Sequence, residues 1–129
     1  VIDSTAITIT PEQQREAQEL LVRITAAEAR QEQREAAFQD FAKVVRRYFD
    51  ENATLLLSKF RDYGAKNIAD SPGGALNGLR VRMHDKLARI NNLIDSGRDP
   101  ENESLRDSFI DLANYATIAL LVIDGEWDK

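Results

Sequence analysis

The sequence predicts an all-α fold, a helical bundle preceded by a long N-terminal helix that can oligomerise as a coiled coil. Three observations carry this. Between Pro11 and Phe49 neither glycine nor proline interrupts the chain. Later stretches repeat apolar residues at the three- and four-residue intervals of a helix face. After Thr10 nothing alternates apolar and polar residues with the two-residue period of a strand.

Residues 1–10, VIDSTAITIT, are short and β-branched and read as an irregular or extended arm, ordered by a partner. Thr10-Pro11 then starts a helix: Thr10 as N-cap, Pro11 at the first helical position, Gln13 as capping-box partner. Residues 11–50 form a helical extension with a heptad. Ala17, Ile24, Gln31, Phe38 and Val45 share one position; Leu20, Ala27, Arg34, Phe41 and Tyr48 share the other. Gln31 and Arg34 break the seam, which leaves two readings open. One is a single long helix pairing with its own copies, polar residues setting register. The other is two ordinary helices, or one helix whose second half alone packs on the domain core.

Residues 51–129 are expected to form the helical domain. Asp50–Asn52 is the expected break, with Asn52 capping a new helix. Leu55, Leu56 and Phe60 recur at helical spacing up to Gly64, a C-cap. Residues 65–78, rich in Gly and Pro, are the main irregular connection. The next helix, Leu76 to Ile94, carries the stripe Leu79, Met83, Leu87, Ile90 and Ile94 and closes at Gly97. The last begins at Asp99 or Asn102 and runs to about Asp124, its apolar face built from Leu105, Phe109, Leu112, Ala116, Ala119, Leu120 and Ile123. Ala113, Ala116 and Ala119 let a neighbouring helix approach closely.

The formal net charge of −5 makes nucleic acid an unlikely partner, since phosphate-backbone affinity needs clustered cations. Cysteine is absent, which excludes disulfides and thiolate metal sites and fits a cytoplasmic setting. No uncharged apolar run approaches the roughly 18–20 residues that span a bilayer, so no membrane role is expected. Residues 1–10 carry no signal-peptide pattern.

Two faces have the residue types of a site. Arg82, Asp85, Lys86 and Arg89 share one side of their helix, next to the apolar stripe. Glu103, Asp107 and Asp111 are spaced by four, with Tyr115 one step further; such spacing drifts about 40° per step, so the row stays within one quadrant. Three carboxylates in a row repel, so something positive should face them. Either Arg82 and Arg89 pair with Asp107 and Asp111 in an ionic lock, or the carboxylates hold Mg²⁺ while the cations grip a phosphate. The row runs on into Ile118 and Val122, unlike a purely solvated face.

KFRDYGAKN (Lys59 to Asn67), GLRVRMHDKLARINNLI (Gly78 to Ile94) and ENESLRDSFIDLANYATIAL (Glu101 to Leu120) resemble, in order, three motifs of the nucleotide modification-associated domain 1 family, found largely in phages. The resemblance implies a nucleotide or nucleotide-derived ligand and a host-cell cytoplasmic location. It implies ligand contacts from Lys59, Tyr63, Asn67, Arg82, Asp85, Lys86, Arg89, Asn114 and Tyr115, in a site between the last two helices with the first three residues at its edge. More distantly, the last helix resembles MazG-type all-α nucleoside triphosphate pyrophosphohydrolases, which hold Mg²⁺ on two acidic motifs. Glu103, Asp107 and Asp111 would stand for the second motif. The first, a Glu-x-x-Glu pair, is absent: Asp85 sits there among Arg82, Lys86 and Arg89. The alternatives are therefore a nucleotide binder, an Mg²⁺-dependent hydrolase, and a non-catalytic homo-oligomer with structural salt bridges. Trp127 is expected to serve packing or an interface, and His84 lies between the charged face and the far side of its helix.

Overall fold

A computed structural model describes residues 6–129; Val1–Thr5 of the expected arm lie outside the described residues. Residues 6–10 form no helix or strand. The capping box forms as expected: the Thr10 amide donates to Gln13 Oε1 at 2.9 Å and the Gln13 amide to Thr10 Oγ1 at 3.1 Å.

Helix α1 then runs unbroken over Pro11–Tyr63. The break expected at Asp50–Asn52 is absent. Neither glycine nor proline occurs there, and an asparagine inside a helix costs only about 0.5 kcal/mol. The two separate helices of the second reading therefore do not form, and the segment is one continuous helix.

The chain divides into two units, Val1–Arg46 and Arg47–Lys129. In the first, no residue of α1 is buried. The heptad positions Leu20, Ile24, Phe38 and Phe41 are all exposed, and the polar interruption satisfies itself, Arg34 Nη2 donating to Gln31 Oε1 at 3.2 Å.

The second unit contains the end of α1 and three further helices: α2 (Lys66–Ala69), α3 (Ala75–Ser96) and α4 (Leu105–Ile123). Gly64 ends α1 with φ +69°, its amide donating to the Phe60 carbonyl at 2.8 Å. The expected irregular connection thus contains a one-turn helix and ends sooner than expected. Gly97 closes α3 in the left-handed conformation. The last helix starts at Leu105 instead of Asp99 or Asn102, because Ser104 and Asp107 form a complete capping box. No described helix is long and apolar enough to cross a membrane.

The core is small. Ile68, Leu79 and Ile118 are buried together, with Leu56, Tyr115, Val122 and Trp127 packed on them. The expected stripe on α3 is rotated: Leu79, Ile90 and Leu93 are buried, while Leu87 and Ile94 are exposed. On α4 the correction is larger. Ser108, Asp111, Asn114 and Ile118 face inward, and Phe109, Leu120 and Ile123 of the expected apolar face lie outward. The polar side wins because its groups find mutual partners, so burial leaves nothing unbonded: among the described residues, no buried side-chain nitrogen or oxygen lacks one.

Gly78 marks the tightest approach of α3 to the preceding loop. It is buried, and a Cβ there would fall inside contact distance of Ser71 Oγ and Cβ and 3.0 Å from Arg82 Nη1. Alanine normally favours a helix over glycine by about 1 kcal/mol, but forcing a methyl into packed atoms costs roughly 1–3 kcal/mol. Gly78→Ala is therefore expected to lower stability by a net of up to about 2 kcal/mol, read as a lower urea midpoint. A raised midpoint would show the gap to be slack.

Candidate functional site

Lys59 and Tyr63 share one face of the last turns of α1, four residues apart. Asn67 lies on α2, Arg82 on α3, and Asp111, Asn114 and Tyr115 on α4. These seven residues, all of the second unit, line one cavity of ≈330 Å³. Phe60 and Trp127 form an aromatic wall, their rings 5.2 Å apart at 77°. Trp127 is held by its indole N–H, which donates to the Ala65 carbonyl at 3.1 Å. The C-terminal tail is tied again at Lys66–Asp128, 2.7 Å.

Asp111 anchors the polar side. Lys59 Nζ lies 2.8 Å from one of its oxygens and Lys86 Nζ 2.8 Å from the other, and Lys86 also reaches Glu103 at 2.8 Å. Burial pushes the Asp111 carboxyl upward, but the bonds from Lys59 and Lys86 outweigh it and hold it below the ordinary carboxylate value. The bond to Asp111 raises Lys59 above the usual lysine value. For Lys86, burial pulls downward, and the bonds to Asp111 and Glu103 reverse it to a net rise. Lys59 remains half-exposed, whereas Lys86 is mostly covered.

The arginines do different work. Arg82 Nη2 donates to the Asn67 carbonyl at 2.9 Å and Nη1 to Ser71 Oγ at 3.3 Å, fixing α2 and its loop against α3. Arg89 donates to Ser108 Oγ at 2.5 Å, to the Ser104 carbonyl at 3.4 Å and to the Glu103 carbonyl. The expected lock of Arg82 and Arg89 on Asp107 and Asp111 is thus replaced by a lysine lock. A forked guanidinium can bind several carbonyl and hydroxyl oxygens at once, and Asp107 is already turned to the cap, accepting from Ser104 N and Oγ.

The seam between α3 and α4, where sequence placed the site, is filled by Lys86 and Arg89. The open space lies between the end of α1, α2 and α4, with Arg82 alone reaching it from α3. Of the nine residues expected at a ligand, Lys59, Tyr63, Asn67, Arg82, Asn114 and Tyr115 come together on the cavity; Asp85, Lys86 and Arg89 do not. Asp85 is exposed on the outer side of α3. Glu103, Asp107 and Asp111 do not converge as a metal set. Among the described residues no group of three or more acidic, histidine or cysteine side chains is gathered closely enough to hold an ion, and both Asp111 oxygens are occupied by ammonium groups.

Residues 59–123, half of the chain, match the family model for nucleotide modification associated domain 1. The chain belongs to this family. The nucleotide modification associated domain 1 match begins at Lys59 and so takes in nearly the whole cavity lining, leaving out Leu56 on α1 and Trp127 in the tail. Neither the comparison with curated proteins nor that with solved structures finds a match. Three contributors escaped sequence reasoning. Ser108 is fully buried under Arg89; its signal was its place at i−3 from Asp111. Phe60 and Trp127 form the wall, and only the fold brings the tail back to α1.

Proposed function

We propose that the protein binds a mononucleotide or a nucleotide-derived ligand of that size in the cavity beside Asp111, and holds it without cleaving it. The observation that carries this is the gathering of two kinds of group around one space: aromatic faces from Tyr63, Phe60, Tyr115 and Trp127, and cations from Lys59 and Arg82. Aromatic faces stack on a base and cations bind phosphate oxygens. Lys59 spends one of its three N–H donors on Asp111, which leaves donors for a phosphate. The side-chain amide of Asn67 offers a donor and an acceptor for a base edge. A volume of ≈330 Å³ sits at the small end of ligand pockets, about 300–1,000 Å³, which favours one nucleotide over two.

Binding is favoured over hydrolysis by the state of Asp111. A carboxylate bonded to two ammonium groups and held below its ordinary pKa is a poor general base. The family membership fits a nucleotide link, and a phage-encoded member could use such a site to sequester a host nucleotide.

The test is a thermal-shift screen of nucleoside mono-, di- and triphosphates, with and without Mg²⁺, the ligand being recovered and weighed by mass spectrometry. At a hundredfold excess over Kd, binding stabilises by about 2.7 kcal/mol. The expected result is a Tm several degrees higher with at least one ligand, independent of Mg²⁺, unaltered ligand on recovery, and loss of the shift in Tyr63→Ala. Cleaved ligand would turn the protein into an enzyme, and no shift at millimolar concentrations would overturn the proposal.

A further inference from the structure

Residues 17–45 of α1 repeat their apolar seam every seven positions, and packing within the chain does not use it. Leu20, Ile24, Phe38 and Phe41 are exposed, and no residue of the helix is buried. The family match begins only at Lys59, so the seam lies outside that domain. An apolar seam does not by itself say what covers it. The charges beside it do. With Ile24 at heptad position a and Leu20 at d, Arg23 and Arg30 fall at g, and Glu28 and Glu35 fall at e. In the middle of the seam, cations therefore line one flank and carboxylates the other. Among the described residues none of these four charges forms an ion pair within the chain.

We infer that a second copy of the chain covers this seam, the two α1 helices lying parallel and in register as a two-stranded coiled coil. In that arrangement each g residue faces the e residue of the following heptad in the other helix, and such pairs set partner and orientation. Arg23 then meets Glu28 of the other copy, Arg30 meets Glu35, and the two-fold axis repeats both pairs. The seam is complementary to itself. An antiparallel pair would set g against g and e against e. No register of it brings these four charges into opposite pairs, and Glu28 would come to face Glu35.

The polar layers fix the same register. Unshifted, Gln31 at a and Arg34 at d each face their own copy; a slip of one heptad would set both against apolar residues. A polar residue at a specifies register at a cost in stability. Arg34 already donates to Gln31 within its own chain, at 3.2 Å. Across the seam its neighbour is Glu35 of the other copy, which offsets the like charge at this layer. Strand number follows from branching: β-branched Ile24 and Val45 at a, with Leu20 at d, favour two strands over three.

The full-length chain tests this by sedimentation at micromolar concentration, where the wild type should weigh twice the 14.6 kDa of one chain. The double variant Glu28→Arg/Glu35→Arg places arginine on both flanks, and Arg23→Glu/Arg30→Glu places glutamate on both. Each should dimerise about a hundredfold more weakly than the wild type. Mixing the two should restore a dimer containing one of each, which a variant that had merely failed to fold could not do. Orientation is read separately. The chain has no cysteine, so Ala17→Cys reports on one end of the seam alone. A short bismaleimide should link two such chains, because in a parallel pair they adjoin, whereas antiparallel helices would hold them about 40 Å apart. A wild type that sediments as one chain or as three overturns the inference, as does a dimer retained by both double variants. An Ala17→Cys dimer that stays unlinked is antiparallel or staggered, and overturns it too.

Discussion

Asp111→Ala should lower the stability of the second unit by about 2–4 kcal/mol. This is somewhat less than the roughly 3–5 kcal/mol of breaking a fully buried ion pair, because one partner, Lys59, is half-exposed. The asymmetry of its partners sets the size of the loss. Lys59 is half-exposed and can turn to water, but Lys86 is mostly covered and would keep Glu103 as its only counter-charge. Burying a cation with one partner fewer is what costs free energy. Asp111→Asn, which keeps shape and some hydrogen bonding, should cost less. Urea melts followed by circular dichroism read both.

The same network fixes a pH dependence. Asp111 titrates below its ordinary value in the folded chain, so its contribution is present in full above about pH 4, the unfolded carboxylate value. It is lost as pH falls through the lowered folded value. Lys59 and Lys86 titrate above their ordinary value when folded, so their contribution is complete below about pH 10.4 and is lost as pH rises through the raised values. The gap in stability between wild type and Asp111→Ala should therefore be flat from about pH 5 to 9 and close at both extremes. A gap that widened on acidification would mean that Asp111 is folded in its protonated form.

Arg89→Ala should produce a loss of similar size, about 2–3 kcal/mol. Its guanidinium is the shared donor for Ser108 Oγ and the carbonyls of Glu103 and Ser104, at the point where α4 begins. Ser108 is completely buried, so its hydroxyl cannot recruit water when the donor goes. Lysine at position 89 offers one point charge in place of a planar fork, and Arg89→Lys should recover only part of the loss. Full recovery by lysine would reduce Arg89 to a simple charge.

Element boundaries were largely legible in the sequence, because caps are local. Thr10-Pro11 with Gln13, Gly64 and Gly97 each act within one turn and behaved as their residue types dictate. The start of α4 was placed too early because Asp99 and Asn102 are good cap residues too; only the reciprocal Ser104–Asp107 pairing separates them. Facing was not legible. Periodicity assigns inward the side with more apolar area, and α4 has a wide apolar side. What turned Asp111 and Ser108 inward is complementarity with Lys59, Lys86 and Arg89 on other helices, a property of pairs of segments that no single segment carries. The same reason explains why Lys86 and Arg89, read as ligand contacts, are spent on packing. Lys59, Tyr63 and Asn67, read as the edge of a site, line the cavity itself. Trp127 packs, as its residue type suggests, but its partner was not legible, because the contact with Ala65 spans sixty-two positions of the chain.

The most direct test is a pair of titrations with whichever nucleotide gives the largest thermal shift, comparing Lys59→Met with Lys86→Met. Both lysines bond to Asp111, but only Lys59 lines the cavity. Lys59→Met should weaken binding tenfold or more. Lys86→Met should melt earlier yet bind with wild-type Kd at a temperature where it is folded. Weakened binding in Lys86→Met, with Lys59→Met unaffected, would contradict a site beside Asp111 and return it to the seam between α3 and α4.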